Sequence, residues 1–91
     1  MIEYDWDEAK RLANMATHRL DFEDAWRVYE AENKVTYRSA YPHEERWIDL
    51  AEVEGVVLLL VYTMRGNAVR CISFRRARRG RERSLYYGQD R

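Results

Sequence analysis

The sequence predicts an α+β fold: a small antiparallel β-sheet covered by an N-terminal helical pair, with a C-terminal helix after the sheet. Three observations predict it. Val56–Thr63 (VVLLLVYT) has seven apolar or aromatic residues out of eight and no charge, and a continuous run of this kind suits a strand buried on both faces. Turn signals bracket it, Glu54-Gly55 before and Arg65-Gly66-Asn67 after, so Glu44–Val53 and Ala68–Arg76 fold back on either side as a meander. Two helical patterns precede these strands and supply cover.

Taken in order, Met1–Asp5 is short and partly β-prone, and adds an edge strand at most. Asp7 is placed to cap a helix, with Glu8 facing its positive end, and Ala9, Leu12, Ala13 and Ala16 form its apolar stripe. Lys10, Arg11 and Asn14 fall off that stripe, and Thr17-His18-Arg19 ends the helix. Asp21 caps a second helix with the stripe Phe22, Ala25, Trp26 and Tyr29. Val35–Ala40 reads as an edge strand, and Pro42 interrupts the chain before Glu44. Strand alternation puts Arg46, Ile48 and Leu50 on one face and Glu45, Trp47 and Asp49 on the other; it sets Arg70, Ile72 and Phe74 against Val69, Cys71 and Ser73. The run Arg75–Arg83 holds six arginines and leads into a helix through Tyr86 or Tyr87, which Gly80 delays or kinks. Trp6, Trp26 and Trp47 are expected to anchor the core.

Ninety-one residues make a single domain, 1–91. No apolar run approaches the ~18 residues of a membrane span, and the acidic start MIEYDWDEAK does not read as a signal peptide. The single Cys71 excludes an internal disulfide and a cysteine-based metal site, which points to a reducing cytoplasm. The net charge of +0 hides a gradient: −5 over residues 1–33, −2 over 34–63 and +7 over 64–91. The basic end suits a nucleic acid or an acidic partner, unless the two ends neutralise each other in the fold.

An ordered set of segments carries a resemblance: YDWDEAK at 4–10, Asn14 and His18, DFEDAW at 21–26, EERWI at 44–48, LVYTMRG at 60–66, ISFRRA at 72–77, and Glu82 with Tyr86 four residues on. Over nearly its full length the chain resembles the BrnT family of toxins from bacterial type II toxin–antitoxin systems. The resemblance implies a RelE-like fold, metal-independent RNA cleavage with no cofactor, and a cognate BrnA-like antitoxin through which operator DNA is bound. The sequence departs from the family where Thr17-His18-Arg19 replaces a usual Lys-His-Gly, where Gly80 lengthens the Arg-rich segment, and where the loop 34–43 is short.

RNA cleavage without a metal needs a base for the 2′-OH, cations for the phosphate and an acid for the leaving oxygen. Arg46, Arg65 and Arg75 lie on or beside the meander and are candidates for the cationic part, against the alternative of solvated surface arginines. His18 is the candidate for proton transfer, since its ordinary pKa lies nearest neutrality; the alternative is a histidine that only closes its helix. Glu45 is a candidate base or orienting group, although alternation sets it opposite Arg46. Lys10, Arg76, Arg79 and Tyr86 are candidate RNA contacts, with a packing role as the alternative for Tyr86. No metal-ligand spacing is present. Two other functions fit the sequence: an inactive toxin-like module that serves as antitoxin partner or corepressor, and a free-standing nucleic-acid binder working through its arginines.

Overall fold

The apolar run lies at the middle of a five-stranded sheet whose strands follow the order Glu3–Asp5, Ala68–Arg76, Val56–Arg65, Trp47–Val53 and Val35–Arg38, in a computed structural model that describes residues 1–88. Asp90 and Arg91, which enter the charge of the basic end, lie outside the described residues. The strands are β1 (Glu3–Asp5), β2 (Val35–Arg38), β3 (Trp47–Val53), β4 (Val56–Arg65) and β5 (Ala68–Arg76). The helices are α1 (Glu8–His18), α2 (Trp26–Tyr29) and α3 (Arg81–Tyr87), with a 3-10 turn at Phe22–Asp24. The expected meander forms: β4 pairs antiparallel with β3 and with β5. Glu54 (φ 50°) and Gly55 (φ 83°) take the left-handed geometry that a two-residue hairpin favours.

The sheet is mixed rather than purely antiparallel, because β1 lies parallel to β5. A strand that enters α1 and returns to the sheet only four elements later has no hairpin to reverse it.

Both faces of β4 are buried, as the unbroken apolar run predicts. Leu58, Leu60 and Tyr62 join Phe22, Ala25 and Val28 of the N-terminal region on the first face, with Val69, Cys71 and Phe74 of β5. Val57 and Leu59 join Leu50 and Tyr86 of α3 on the second.

The helical cover differs from its prediction. Asp7 caps α1 through the Lys10 N–H at 3.2 Å, but the stripe Ala9, Leu12, Ala13 and Ala16 faces solvent, with Leu12 54% exposed. The buried residue of α1 is the polar Asn14. The second helical segment is a 3-10 turn capped by Asp21 followed by the single turn α2; Val28 is buried there, while Trp26 points outward at 47% exposure. Trp6 and Trp47 are half-buried against the first core. Tryptophan placement is set by whether a neighbouring element closes over the ring, and none closes over Trp26, whose ring carries the Arg27 guanidinium at 5.3 Å.

A fully buried carboxylate ties β2 to the sheet. Asp49 accepts hydrogen bonds from Lys34 Nζ (2.8 Å), the Thr36 hydroxyl (2.7 Å) and the Tyr62 hydroxyl (3.1 Å).

Candidate nucleic-acid interface

One irregularity in β5 decides which side chains meet. Val61 pairs with Ser73 but Tyr62 pairs with Cys71, so β5 carries one extra residue at this point. The extra residue reverses the alternation expected from the sequence. Phe74 joins Val69 and Cys71 in the first core, and Arg75 comes to the same side as Arg70.

Beyond the bulge β5 has lost its neighbour, since β1 pairs only through Arg70. Asn14 takes the neighbour's place. Its Oδ1 accepts from the Phe74 N–H at 3.0 Å, and its Nδ2 donates to the Phe74 carbonyl at 2.8 Å and the Leu20 carbonyl at 2.9 Å. This fixes α1 along the β5 edge. Lys10, Asn14 and His18 follow i, i+4, i+8 spacing, so Lys10 and His18 lie about 12 Å apart on one flank of the helix. Arg19 closes α1 in the left-handed conformation (φ 59°), its N–H bonded to the Met15 carbonyl at 2.9 Å.

Surface hollows follow this edge and share residues where they meet. The first contains Lys10, Arg46, Arg65 and Arg70 together with the acidic Asp7 and Glu44, beside Thr63 and Ile72. The second shares Lys10 and Ile72 with it and adds Asn14, Thr17 and His18. The third shares Thr17 and His18 with the second and adds Arg19, Arg75, Arg76 and Arg78. They form one track from the open end of β4 to the end of β5.

The cations along the track are of two kinds. Arg46 is held by Glu44 at 2.7 Å, with its guanidinium 3.6 Å from the centre of the Tyr41 ring. Arg70 is held by Asp5 at 2.7 Å, and that contact keeps the Asp5 carboxyl below its ordinary pKa. Arg75 is held by both oxygens of Glu82 at 2.8 Å. Bonding to Arg75 lowers the Glu82 pKa to about 2, with the Arg78 backbone N–H also contributing, and the same bond raises the pKa of Arg75. Lys10, Arg19, Arg65, Arg76 and Arg78 form no ion pair among the described residues.

The sequence candidates are therefore divided. Arg46 and Arg65 share the first hollow, His18 and Arg75 share the third with Arg76, and Lys10 joins the first to the second. The three sheet arginines do not converge on one point. Arg79 lies beyond Arg76 in a further hollow. Glu45 is off the track: just before β3, its carboxylate lies 4.0 Å from Arg38 at the β2 side of the sheet. Tyr86 is 4% exposed in the second core, its hydroxyl accepting from Asn33 Nδ2 at 3.0 Å, so its ring packs and is closed to a base. Arg70, Arg19 and Arg78 escaped the sequence reading. The first is brought into line with Arg75 only by the bulge; the second was visible as the residue standing where the resemblance expects glycine.

Such an arrangement defines a small α+β protein with cationic residues set out along a sheet edge and one histidine among them. The family described as the ribonuclease toxin, BrnT, of type II toxin–antitoxin systems matches residues 6–80, and the chain belongs to that family. Among solved structures it is similar to the 1.1 Å crystal structure of the Brucella abortus ribonuclease toxin, BrnT, at 26% identity and a TM-score of 0.67, covering 87% of this chain and 100% of that one. A search of the curated proteins gives no match. No helix among the described residues is long and apolar enough to cross a membrane.

Proposed function

We propose that this chain is a metal-independent endoribonuclease that cuts RNA in the hollow where His18 meets Arg19, Arg75, Arg76 and Arg78. The observation that carries the reading is that His18 lines one hollow with four arginines. His18 takes the proton of the 2′-OH, and the 2′ oxygen forms a bond to phosphorus. The bond from phosphorus to the 5′ oxygen breaks, and the imidazolium returns its proton to that oxygen. The products are a 2′,3′-cyclic phosphate and a 5′-hydroxyl, and no redox partner or water is consumed. Arg19, Arg76 and Arg78 stabilise the charge that develops on the phosphoryl oxygens. An incoming phosphate competes with Glu82 for Arg75. Lys10, Arg65 and Arg46 hold the strand along the rest of the track. Glu45 and Tyr86 have no part in the chemistry on this reading.

Cleavage of RNA inhibits translation and growth in the cytoplasm, and a BrnA-like antitoxin neutralises it by laying an acidic segment over the track and bringing operator DNA into the complex. The experiment is degradation of RNA by the purified chain in EDTA, with wild type against His18→Ala. Cyclic phosphate ends from the wild type and a loss of about 100-fold or more in the variant are expected. An absolute requirement for a divalent metal overturns the mechanism.

A second reading, the inactive antitoxin partner, is favoured by one observation: Arg46 and Arg75 are both bonded to carboxylates. It predicts operator binding with the partner and no RNA loss at any concentration of the chain.

A further inference from the structure

The track does not stop at the hollow that holds His18. Arg76 also lines a further hollow of about 310 Å³ with Arg79, Arg83 and Gly55, Val56 and Val57. Arg83 in turn lines another of about 320 Å³ with Gly80, Ser84 and Tyr87. Each is the size of a small-ligand pocket at the lower end of its range, which suits one nucleotide. Arg79 and Arg83 form no ion pair among the described residues, and both are exposed. This contrasts with Arg11, Arg27, Arg38, Arg46, Arg70 and Arg75, each of which has a carboxylate within 4.0 Å. Among the described residues, carboxylates pair with those six arginines and with none of Arg76, Arg79 and Arg83.

Tyr87 adds what a charge patch lacks. Tyr87 is 49% exposed although its helix is anchored in the core by the adjacent Tyr86, whose ring meets it edge-on at 5.2 Å, and the Arg83 guanidinium lies 5.7 Å from the centre of the Tyr87 ring. Its hydroxyl donates to Glu52 at 3.1 Å, which fixes the ring against β3. An exposed aromatic side chain beside arginines is the combination that single-stranded nucleic acid uses, bases stacking on the ring while cations follow the backbone.

We propose that Arg79, Arg83 and Tyr87 form a second RNA-binding surface that holds the strand beyond the bond to be cut: two phosphates on the arginines and one base on Tyr87. The assignment rests on reading the track as an RNA site. It makes affinity depend on strand length, because a fragment that fills only the hollows along α1 does not reach Tyr87.

Binding of random-sequence 2′-O-methyl RNA, which lacks the attacking hydroxyl, tests this in the full chain. Oligonucleotides of about 12 and about 4 nucleotides are compared by fluorescence anisotropy over a salt series. The wild type binds the longer strand more tightly. Arg79→Ala/Arg83→Ala weakens the longer strand about tenfold, reduces its advantage over the shorter one, and makes the slope of log K against log salt shallower by about 1.4, two contacts at about 0.7 each. Tyr87→Ala weakens it at least about fivefold, whereas Tyr87→Phe, which keeps the ring, does not. All three positions are exposed, and an unchanged Tm confirms folding. Wild-type affinity and slope in Arg79→Ala/Arg83→Ala overturn the proposal. Because binding is read, a wild-type chain that shows these effects and cuts no RNA supports this surface while removing the cleavage reading.

Discussion

Asn14 and Phe74 are joined as two strands would be: the side-chain amide of one meets both peptide groups of the other, at 3.0 Å and 2.8 Å. The pair lies just past the bulge in β5, where β1 has ended and the edge would otherwise be bare. It fixes the flank of α1 that carries Lys10 and His18 against the strand that carries Arg70 and Arg75.

Removing that amide should therefore cost stability out of proportion to its size. Asn14→Ala leaves the Phe74 N–H and carbonyl buried without partners, and a loss of about 2–4 kcal/mol is expected in urea denaturation. Asn14→Asp keeps the acceptor and loses both donations, so it should also be destabilised. A change below about 0.5 kcal/mol in Asn14→Ala would mean that water replaces the amide and that α1 is held by other contacts.

The ion pair between Arg75 and Glu82 predicts an acid-sensitive step. The folded-state pKa of Glu82 is depressed from 4.5 to about 2, so its contribution is present above pH 4.5 and is lost as pH falls towards 2. With solvent screening, about 1–2 kcal/mol should disappear across that window. Glu82→Gln should be less stable than wild type at neutral pH and should show a flatter stability profile over the same range. Parallel profiles for the two proteins would show that other carboxylates control acid unfolding.

Arg65 and Arg75 should part company when each is replaced by alanine. Arg65 is exposed and unpaired among the described residues, so Arg65→Ala should leave stability within about 0.5 kcal/mol while reducing RNA cleavage. Arg75→Ala strips Glu82 of its partner and should lower both Tm and activity. Leu59, 1% exposed beneath Tyr86, marks the opposite limit: Leu59→Asp should abolish folding, seen as loss of the cooperative thermal transition. Unfolding of Arg65→Ala would place that residue among the structural contacts instead.

Lys34 and Asp49 form a pair that should be costly to break and cheap to replace. Lys34→Met leaves the fully buried Asp49 uncompensated and should cost about 3–5 kcal/mol. Lys34→Met/Asp49→Leu should recover much of that in chemical denaturation. Failure of the double variant to recover would point to the Thr36 and Tyr62 hydroxyls, left without their acceptor, as the controlling groups.

Arg19 offers a trade between stability and charge. Its left-handed backbone suits glycine, so Arg19→Gly should stabilise the fold by about 0.5–1 kcal/mol. The same change removes a cation beside His18, and RNA cleavage should fall as Tm rises. A fall in Tm would show that the Arg19 side chain makes a contact worth more than the backbone strain.

Much of this protein was determined by its sequence read locally. The unbroken run Val56–Thr63 specified a strand covered on both sides, and the Gly-containing turns at 55 and 66 specified its antiparallel neighbours. Asp7 and Asp21 marked where two helical segments begin, and Gly80 delayed α3 to Arg81. The ordered motifs from Tyr4 to Tyr86 carried the resemblance to the family that the match over residues 6–80 establishes.

Tertiary structure decided the rest, because the deciding interactions join residues far apart in the chain. Periodicity named the apolar stripe of α1 as its buried side, yet sixty residues away Phe74 offered two bare peptide groups that only the polar flank, through Asn14, satisfied. Alternation along β5 set Arg70 and Arg75 on opposite faces, and a single extra residue, invisible to composition or period, turned them the same way. Which arginines remain unpaired depended equally on distant carboxylates: Asp5 took Arg70, whereas none among the described residues took Arg76, Arg79 or Arg83. A sequence specifies its periodic elements through neighbours one or two turns away, but unsatisfied backbone groups and unpaired charges are properties of the assembled chain.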